Sequence, residues 1–265
     1  METICQIQVD IPNAPDLVLD LLAAHGAALS GQVICGAGQL LGHRESTMRV
    51  AMTRLLAGKK VRRAARGLYI LHRPGLTLAN ALDAWSQEMS DEVAWQGDWV
   101  GVHDAAVARS DKTSWRRHQL ALSLRGFATL QHGLQLRPCN RAGGVHSERS
   151  KLQALGLSQH ARVFLLSHLE ASEFRHASAL WPVQELAKQY KVLQQALTAH
   201  LTMLPRMPRE QALRETLLLG RTAVSQLVRD PMLPPELMSL APRDALVGKL
   251  HEYKRGAHDV WVRWM

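Results

Sequence analysis

The stretch from Glu45 to Leu71 constrains the fold more than any other part of this chain. From Glu45 to Ala57, Met48, Ala51, Met52, Leu55 and Leu56 recur at helical spacing, and Ser46, Arg49, Val50 and Thr53 fall on the opposite side. Gly58 stops that helix. Val61 to Leu71 then reads as two short strands around a basic tip. Two helices precede this stretch. Pro15-Asp16 opens an apolar-periodic run through Leu17, Val18, Leu21 and Leu22 that ends near His25-Gly26. Ser30 caps a second, short helix through about Ala37, with Gly36 and Gly38 near its end. The summed pattern is helix, helix, helix, hairpin.

That order predicts a winged helix-turn-helix, and the charge falls where such a module needs it. Residues 41–73 hold nine bases (Arg44, Arg49, Arg54, Lys59, Lys60, Arg62, Arg63, Arg66 and Arg73) and one acid, Glu45, a net +8. The other 23 bases face 22 acids, so nearly all of the chain's formal +9 lies in this window. A helix entering the major groove reads base edges with small polar and Arg side chains, while basic flanks hold phosphates. Arg44, Ser46, Thr47, Arg49, Thr53 and Arg54 suit the first task or nearby phosphates. Lys59, Lys60, Arg62, Arg63 and Arg66 suit the backbone from the wing. A charge cluster alone is as consistent with a solvated face; the cluster combined with this element order points to double-stranded DNA.

The rest of the chain divides the remaining length. Thr77 to Glu88 reads as a connecting helix. Trp99–His103 reads as a strand, Trp115 to Leu124 as a helix, Phe127 to Arg137 as two strands about His132-Gly133, Ser147 to Leu155 as a helix, and Val163 to Leu169 as a strand. The order βαββαβ predicts a ferredoxin-like sandwich. From Trp181 the pattern is helical: Val183, Leu186, Tyr190, Leu193, Leu197 and Leu201 follow Pro182 at spacings of three and four, and Glu210 to Val228 makes another helix. Asp230 to Pro235 is a rigid turn before a helix around Ala245 to Tyr253. The expected domains are therefore 1–75, a DNA-binding module; 76–175, a linker helix and middle domain; and 176–265, helical. The fold class is α+β.

Other classes are disfavoured. No apolar run approaches the roughly 20 residues that span a bilayer, and the first 40 residues contain no Lys or Arg, so neither a membrane association nor a cleaved secretory signal is expected. Three separated cysteines, Cys5, Cys35 and Cys139, fit a reducing cytoplasm without a disulfide framework. The thirteen His show no HExxH or Cys/His cluster, and there is no phosphate loop or GxSxG elbow, so no enzyme and no cofactor or metal are expected. The competing reading is a metal-dependent nuclease or other enzyme built on the middle domain around Asp104 at the end of its first strand. His103 beside it would point to the opposite face, and a structural Asp is the plainer reading. The seven Trp are expected mainly in packing.

The chain resembles the PaaX family of bacterial transcription regulators, named for the phenylacetic acid degradation repressor. The resemblance rests on Leu17-Val18-Leu19-Asp20-Leu21-Leu22, Met48-Arg49-Val50-Ala51-Met52-Thr53-Arg54-Leu55, Arg66-Gly67-Leu68-Tyr69, Trp95-Gln96-Gly97-Asp98-Trp99, Arg116-Arg117 through Leu124-Arg125-Gly126-Phe127, and Asp230-Pro231-Met232-Leu233-Pro234-Pro235-Glu236-Leu237. It implies a repressor of a phenylacetate-type catabolic operon, a homodimer on an inverted-repeat operator, with a middle domain similar to that of Cas2 proteins. It also implies release by an aryl-CoA thioester, phenylacetyl-CoA in the namesake, in the cytoplasm or at the nucleoid. Arg116, Arg117 and Arg137 are the basic residues near the middle domain's elements that suit the phosphates of such an effector. Where the family has an apolar–Phe–Asp end to its first middle-domain strand, this chain has Val102-His103-Asp104.

Overall fold

A computed structural model describes residues 11–72 and 89–264 of the chain; the expected linker helix Thr77 to Glu88 lies outside them. The chain forms two compact units, and neither is one continuous segment. The first contains residues 11–72, Tyr190–Val228 and 244–264, and the second contains 89–189 and Arg229–Arg243. The division in space thus differs from a division into three consecutive segments: the C-terminal helices share a unit with the N-terminal module.

In the first unit, helix α1 (Ala14–His25) starts at Asn13, whose side chain accepts from the Asp16 N–H, and stops at Gly26, which takes a positive φ of 70°. A short strand β1 (Leu29–Ser30) follows, then α2 (Gly31–Leu40), with Ser30 capping the Val33 N–H at 3.2 Å. Helix α2 runs three residues past the predicted end because its glycines are there for packing. A Cβ on Gly38 would lie 2.5 Å from Met48 Cγ, and one on Gly36 would lie 3.3 Å from the Trp264 ring. Close approach of α3 (Glu45–Ala57) requires that bare backbone. Strands β2 (Val61–Ala65) and β3 (Leu68–Leu71) form the hairpin, and β1 pairs with β3 to give a three-stranded antiparallel sheet of order β1-β3-β2.

One apolar core seats these elements. Leu17, Val18, Leu21 and Leu22 of α1, Ile34 of α2, and Met48, Ala51, Met52 and Leu55 of α3 are buried together, with Leu56 partly buried against them. The C-terminal helices complete it. Leu218 of the helix Arg209–Val228 belongs to the same buried cluster, and Trp261 and Trp264 pack on it. Arg221 forms an ion pair with Asp20 of α1.

In the second unit, β4 (Trp99–His103), α4 (Lys112–Leu124), β5 (Ala128–Gln131), β6 (Leu134–Pro138), α5 (Gly144–Leu155) and β7 (Arg162–Leu166) follow the predicted order βαββαβ. The strands make an antiparallel sheet of order β5-β6-β4-β7. Alternation along β4 supplies two cores. Val100 and Val102 are buried with Ala121 and Leu122 of α4 and Leu152 of α5. Trp99 is buried with Trp95, Leu136, Trp181 and Leu233, beside Phe174 of α6 (Ala171–Ser178). Trp99 stacks on Trp181 at 6.0 Å and meets Trp95 edge-on at 5.0 Å. The chain after Leu166 leaves the sheet, so the predicted strand to Leu169 is three residues too long.

Three longer helices finish the chain: α7 (Val183–Met203), α8 (Arg209–Val228) and α9 (Ala241–Val262). Among the described residues no helix is long and apolar enough to cross a membrane.

Candidate nucleic-acid interface

The core-facing side of α3 is occupied by Met48, Ala51, Met52 and Leu55, so 3.6-residue geometry turns the intervening residues outward. Arg44, Ser46, Thr47, Arg49, Thr53 and Arg54 are all exposed. Beyond the helix, Lys59, Lys60, Arg62, Arg63 and Arg66 are exposed too, and only Val61 of β2 is buried. All eleven residues singled out for DNA contact therefore lie on the outside of one helix–hairpin unit.

Local chemistry orders part of this surface. Arg49 donates from Nε and Nη2 to Glu45 Oε1, at 2.9 and 2.6 Å. This i,i+4 pair leaves the rest of the guanidinium fork directed outward and restrains its rotamers. Thr53 Oγ1 donates to the Arg49 carbonyl at 3.0 Å. Arg44 is the N-cap of α3 but supplies no side-chain cap. Backbone N–H groups at a helix start, next to a cation, favour an anion such as a phosphate. A cleft lined by Ala14, Pro15, Ser46, Thr47, Val50 and Arg54 borders this helix.

Val50 and Glu45 share this surface, although neither is among the residues singled out for DNA contact. Val50 is 50% exposed on the outward face, where an apolar side chain can meet a thymine methyl group. Glu45 holds Arg49, and its spacing of four residues was the available signal.

The hairpin has its own geometry. Ala65 pairs with Leu68 across Arg66-Gly67, and Gly67 takes φ 76°, as the second central residue of a tight turn can. Neighbouring strand residues face opposite sides, so Arg62 and Arg63 cannot approach one surface equally. A bulge between Arg63 and Ala65 re-aims the tip. The turn between α3 and β2 is a Schellman-type stop: Lys60 N donates to the Leu55 carbonyl at 3.0 Å and Lys59 N to the Leu56 carbonyl at 3.0 Å. The left-handed position of this motif, usually Gly, is held by Lys59 at φ 51°. A non-Gly residue there costs about 1 kcal/mol. Lys59→Gly should therefore raise the stability of the first unit by about 0.5–1 kcal/mol in urea unfolding. A loss of stability would show that the turn is unstrained.

The residues assigned to an effector are differently placed. Arg116 and Arg117 are exposed on α4. Arg137 is 1% exposed and its guanidinium is committed. It donates to the Arg125 carbonyl at 2.7 Å and to Asn140 Oδ1 at 3.3 Å, and lies 3.6 Å from Glu148 Oε2. Arg125 makes a two-point ion pair with Glu148, both bonds 2.7 Å. Burial pushes the Glu148 carboxyl up, but its hydrogen bond to Arg125 and the charges of Arg137, Arg125 and Lys151 outweigh this and hold it below the ordinary carboxylate range. Arg137 thus serves the interior of the second unit rather than a solvent-facing anion site.

Asp104 is also internal. It is 2% exposed and 3.1 Å from Nε2 of the buried His118. The Ser158 N–H donates to His118 Nδ1 at 3.3 Å, so Nε2 carries the proton that His118 gives to Asp104. Among the described residues no group of three or more His, Cys, Asp or Glu side chains is placed to hold a metal ion.

No protein-family model matches the chain, and no curated protein matches it. Among solved structures it is similar to the uncharacterized protein Rv0674 from Mycobacterium tuberculosis, at a TM-score of 0.59 and 19% identity, covering 95% of this chain and 99% of that one. At that identity the likeness concerns the fold alone.

Proposed function

We propose that the chain is a ligand-responsive transcriptional repressor of the PaaX type, with a winged helix-turn-helix that reads double-stranded DNA. One observation carries the reading: α3 and its hairpin present eleven polar and basic side chains outward while the residues between them seat the module on its core. The order α1-β1-α2-α3-β2-β3, with β1 closing the sheet, supports it. In this reading α3 enters the major groove and the wing tracks phosphates. The βαββαβ order and the strand order β5-β6-β4-β7 support a ferredoxin-like, Cas2-like middle domain.

The further parts of the proposal come from the family resemblance. The chain would act as a homodimer on an inverted repeat, in the cytoplasm and at the nucleoid, on an aromatic-compound operon of the phenylacetate type. An aryl-CoA thioester such as phenylacetyl-CoA would release it, by favouring a dimer whose recognition helices no longer match half-sites about 34 Å apart.

A gel-shift titration of the full chain tests the reading. With duplexes from the promoter beside its own gene, a complex resistant to excess random duplex is expected, weakening steeply with salt. Equal affinity for any duplex of the same length would reject a sequence-reading repressor.

A further inference from the structure

Glu45 is the only acid among residues 41–73, against nine bases. A carboxylate on a surface that faces phosphates lowers affinity for every duplex alike. As a first-turn acid it complements the dipole of α3, and its pair with Arg49 supports the helix. The geometry of that pair goes further. Arg49 Nε and Nη2 both donate to one carboxylate oxygen, Oε1, at 2.9 and 2.6 Å. The other oxygen, Oε2, accepts no hydrogen bond among the described residues. The two side chains are 47% and 68% exposed, so both are open to a ligand.

A guanidinium carries five N–H groups in a fixed plane. With Nε–H and one Nη2–H turned to Glu45, the far end keeps a parallel fork of one Nη1–H and one Nη2–H. That fork fits the O6 and N7 acceptors of guanine. Glu45 Oε2 has the opposite preference. An ionised carboxylate only accepts, so in the major groove it meets the exocyclic amino groups and is repelled by guanine O6 and N7 and by thymine O4. In a G·C pair the guanine O6 and the cytosine N4 amino group stand side by side. A donor fork and an acceptor oxygen held together by the Arg49–Glu45 bonds match those two halves.

We infer that Glu45 is a specificity-determining residue: with Arg49 it reads one G·C pair of the recognised sequence, Arg49 at the guanine edge and Glu45 at the cytosine amino group. This role requires α3 in the major groove, and so rests on the DNA-binding reading above. The same carboxylate acts against all other DNA. It presents like charge to phosphates and holds Arg49 away from them, so it lowers general affinity while raising discrimination.

The test is selection of duplexes from a random-sequence pool by the full chain, followed by gel-shift titration of the enriched sequence. The wild type should enrich a motif with a fixed G·C pair, and replacing that pair by A·T should weaken binding about tenfold. Arg49→Ala should identify the pair by losing the preference there. Glu45→Gln keeps the size of the side chain, removes its charge and adds N–H donors. Its preference for G·C at the same pair should fall about fivefold or more. Its binding to random duplex should tighten about two- to threefold at about 50 mM salt, which only a folded module can show. A residue that merely supports the helix would instead weaken binding to all sequences alike when replaced, and that result would overturn the assignment. A wild-type motif left unchanged in Glu45→Gln would reject this role alone. A wild type that enriches no motif would reject the repressor reading and this role with it.

Discussion

Glu148→Gln should cost the second unit about 3–5 kcal/mol, because it strips the shared carboxylate from two buried guanidinium groups. Arg125 and Arg137 are 5% and 1% exposed, and neither can turn to water without opening the core. Their other bonds tie three parts of the unit together. Arg137 donates to the Arg125 carbonyl, and Asn140, which accepts from Arg137, donates to the Met232 carbonyl at 3.0 Å. A loss of that size is a large fraction of the stability of an ordinary domain, about 5–15 kcal/mol.

The check is urea unfolding followed by tryptophan fluorescence, to which Trp95, Trp99 and Trp181 contribute from the same core. A midpoint shift worth less than about 1 kcal/mol would mean that water or a neighbour replaces Glu148. Removing all three charges together, in Arg125→Met with Glu148→Leu and Arg137→Met, should cost less than Glu148→Gln alone, since none of the three charges is left buried without its counter-charge. The acid limb follows with a definite sign. A carboxyl held below its unfolded range contributes fully above that range, and its contribution disappears as pH falls through the folded value.

The second large effect concerns DNA. Replacing Lys59, Lys60, Arg62 and Arg63 together by Gln should lower affinity on the order of 100-fold or more at about 50 mM salt. For every phosphate that is no longer neutralised, the slope of log affinity against log salt should flatten by about 0.9. The weakening should be the same for operator and random duplex, because these groups read no bases. Arg49→Ala should behave differently. It should cost about 1–3 kcal/mol on the operator if the fork meets a guanine edge, and much less on random DNA. Arg62 and Arg63 replaced singly should differ, since they leave the strand on opposite faces. If the quadruple variant kept the wild-type salt slope, the hairpin would have no place in a DNA interface.

Much of this was legible in the sequence because it is local. The bounds of α3 follow from one helical stripe and Gly58, and the hairpin follows from Val61 to Leu71 with Gly67 at its tip. The exposure of Ser46, Thr47, Arg49, Thr53 and Arg54 follows from the same stripe. Other features depend on partners distant in sequence. Gly36 and Gly38 read as helix-ending signals because nothing nearby announces that Trp264 and Met48 press against that backbone. Arg137 read as an available cation because its carboxylate, Glu148, sits on another element. The two-residue strand β1 carries no period of its own and exists by pairing with β3. Helix α6 is short, and its buried Ala177 and partly buried Phe174 make sense only against the Trp99 face of the sheet.

The discontinuity of the first unit has a consequence for biosynthesis. A chain leaves the ribosome N-terminus first, and its domains ordinarily fold in that order. Here residues 11–72 are made before the second unit, yet Leu218, Trp261 and Trp264, which complete or cover their core, are made after residues 89–189 of it. The intervening unit has the pieces for its own sheet, from Trp99 to Leu166, well before then. Residues 11–72 must therefore wait with apolar surface exposed until Leu218, Trp261 and Trp264 have been made. A product terminated before Leu218 would keep that apolar surface exposed and be an aggregation hazard.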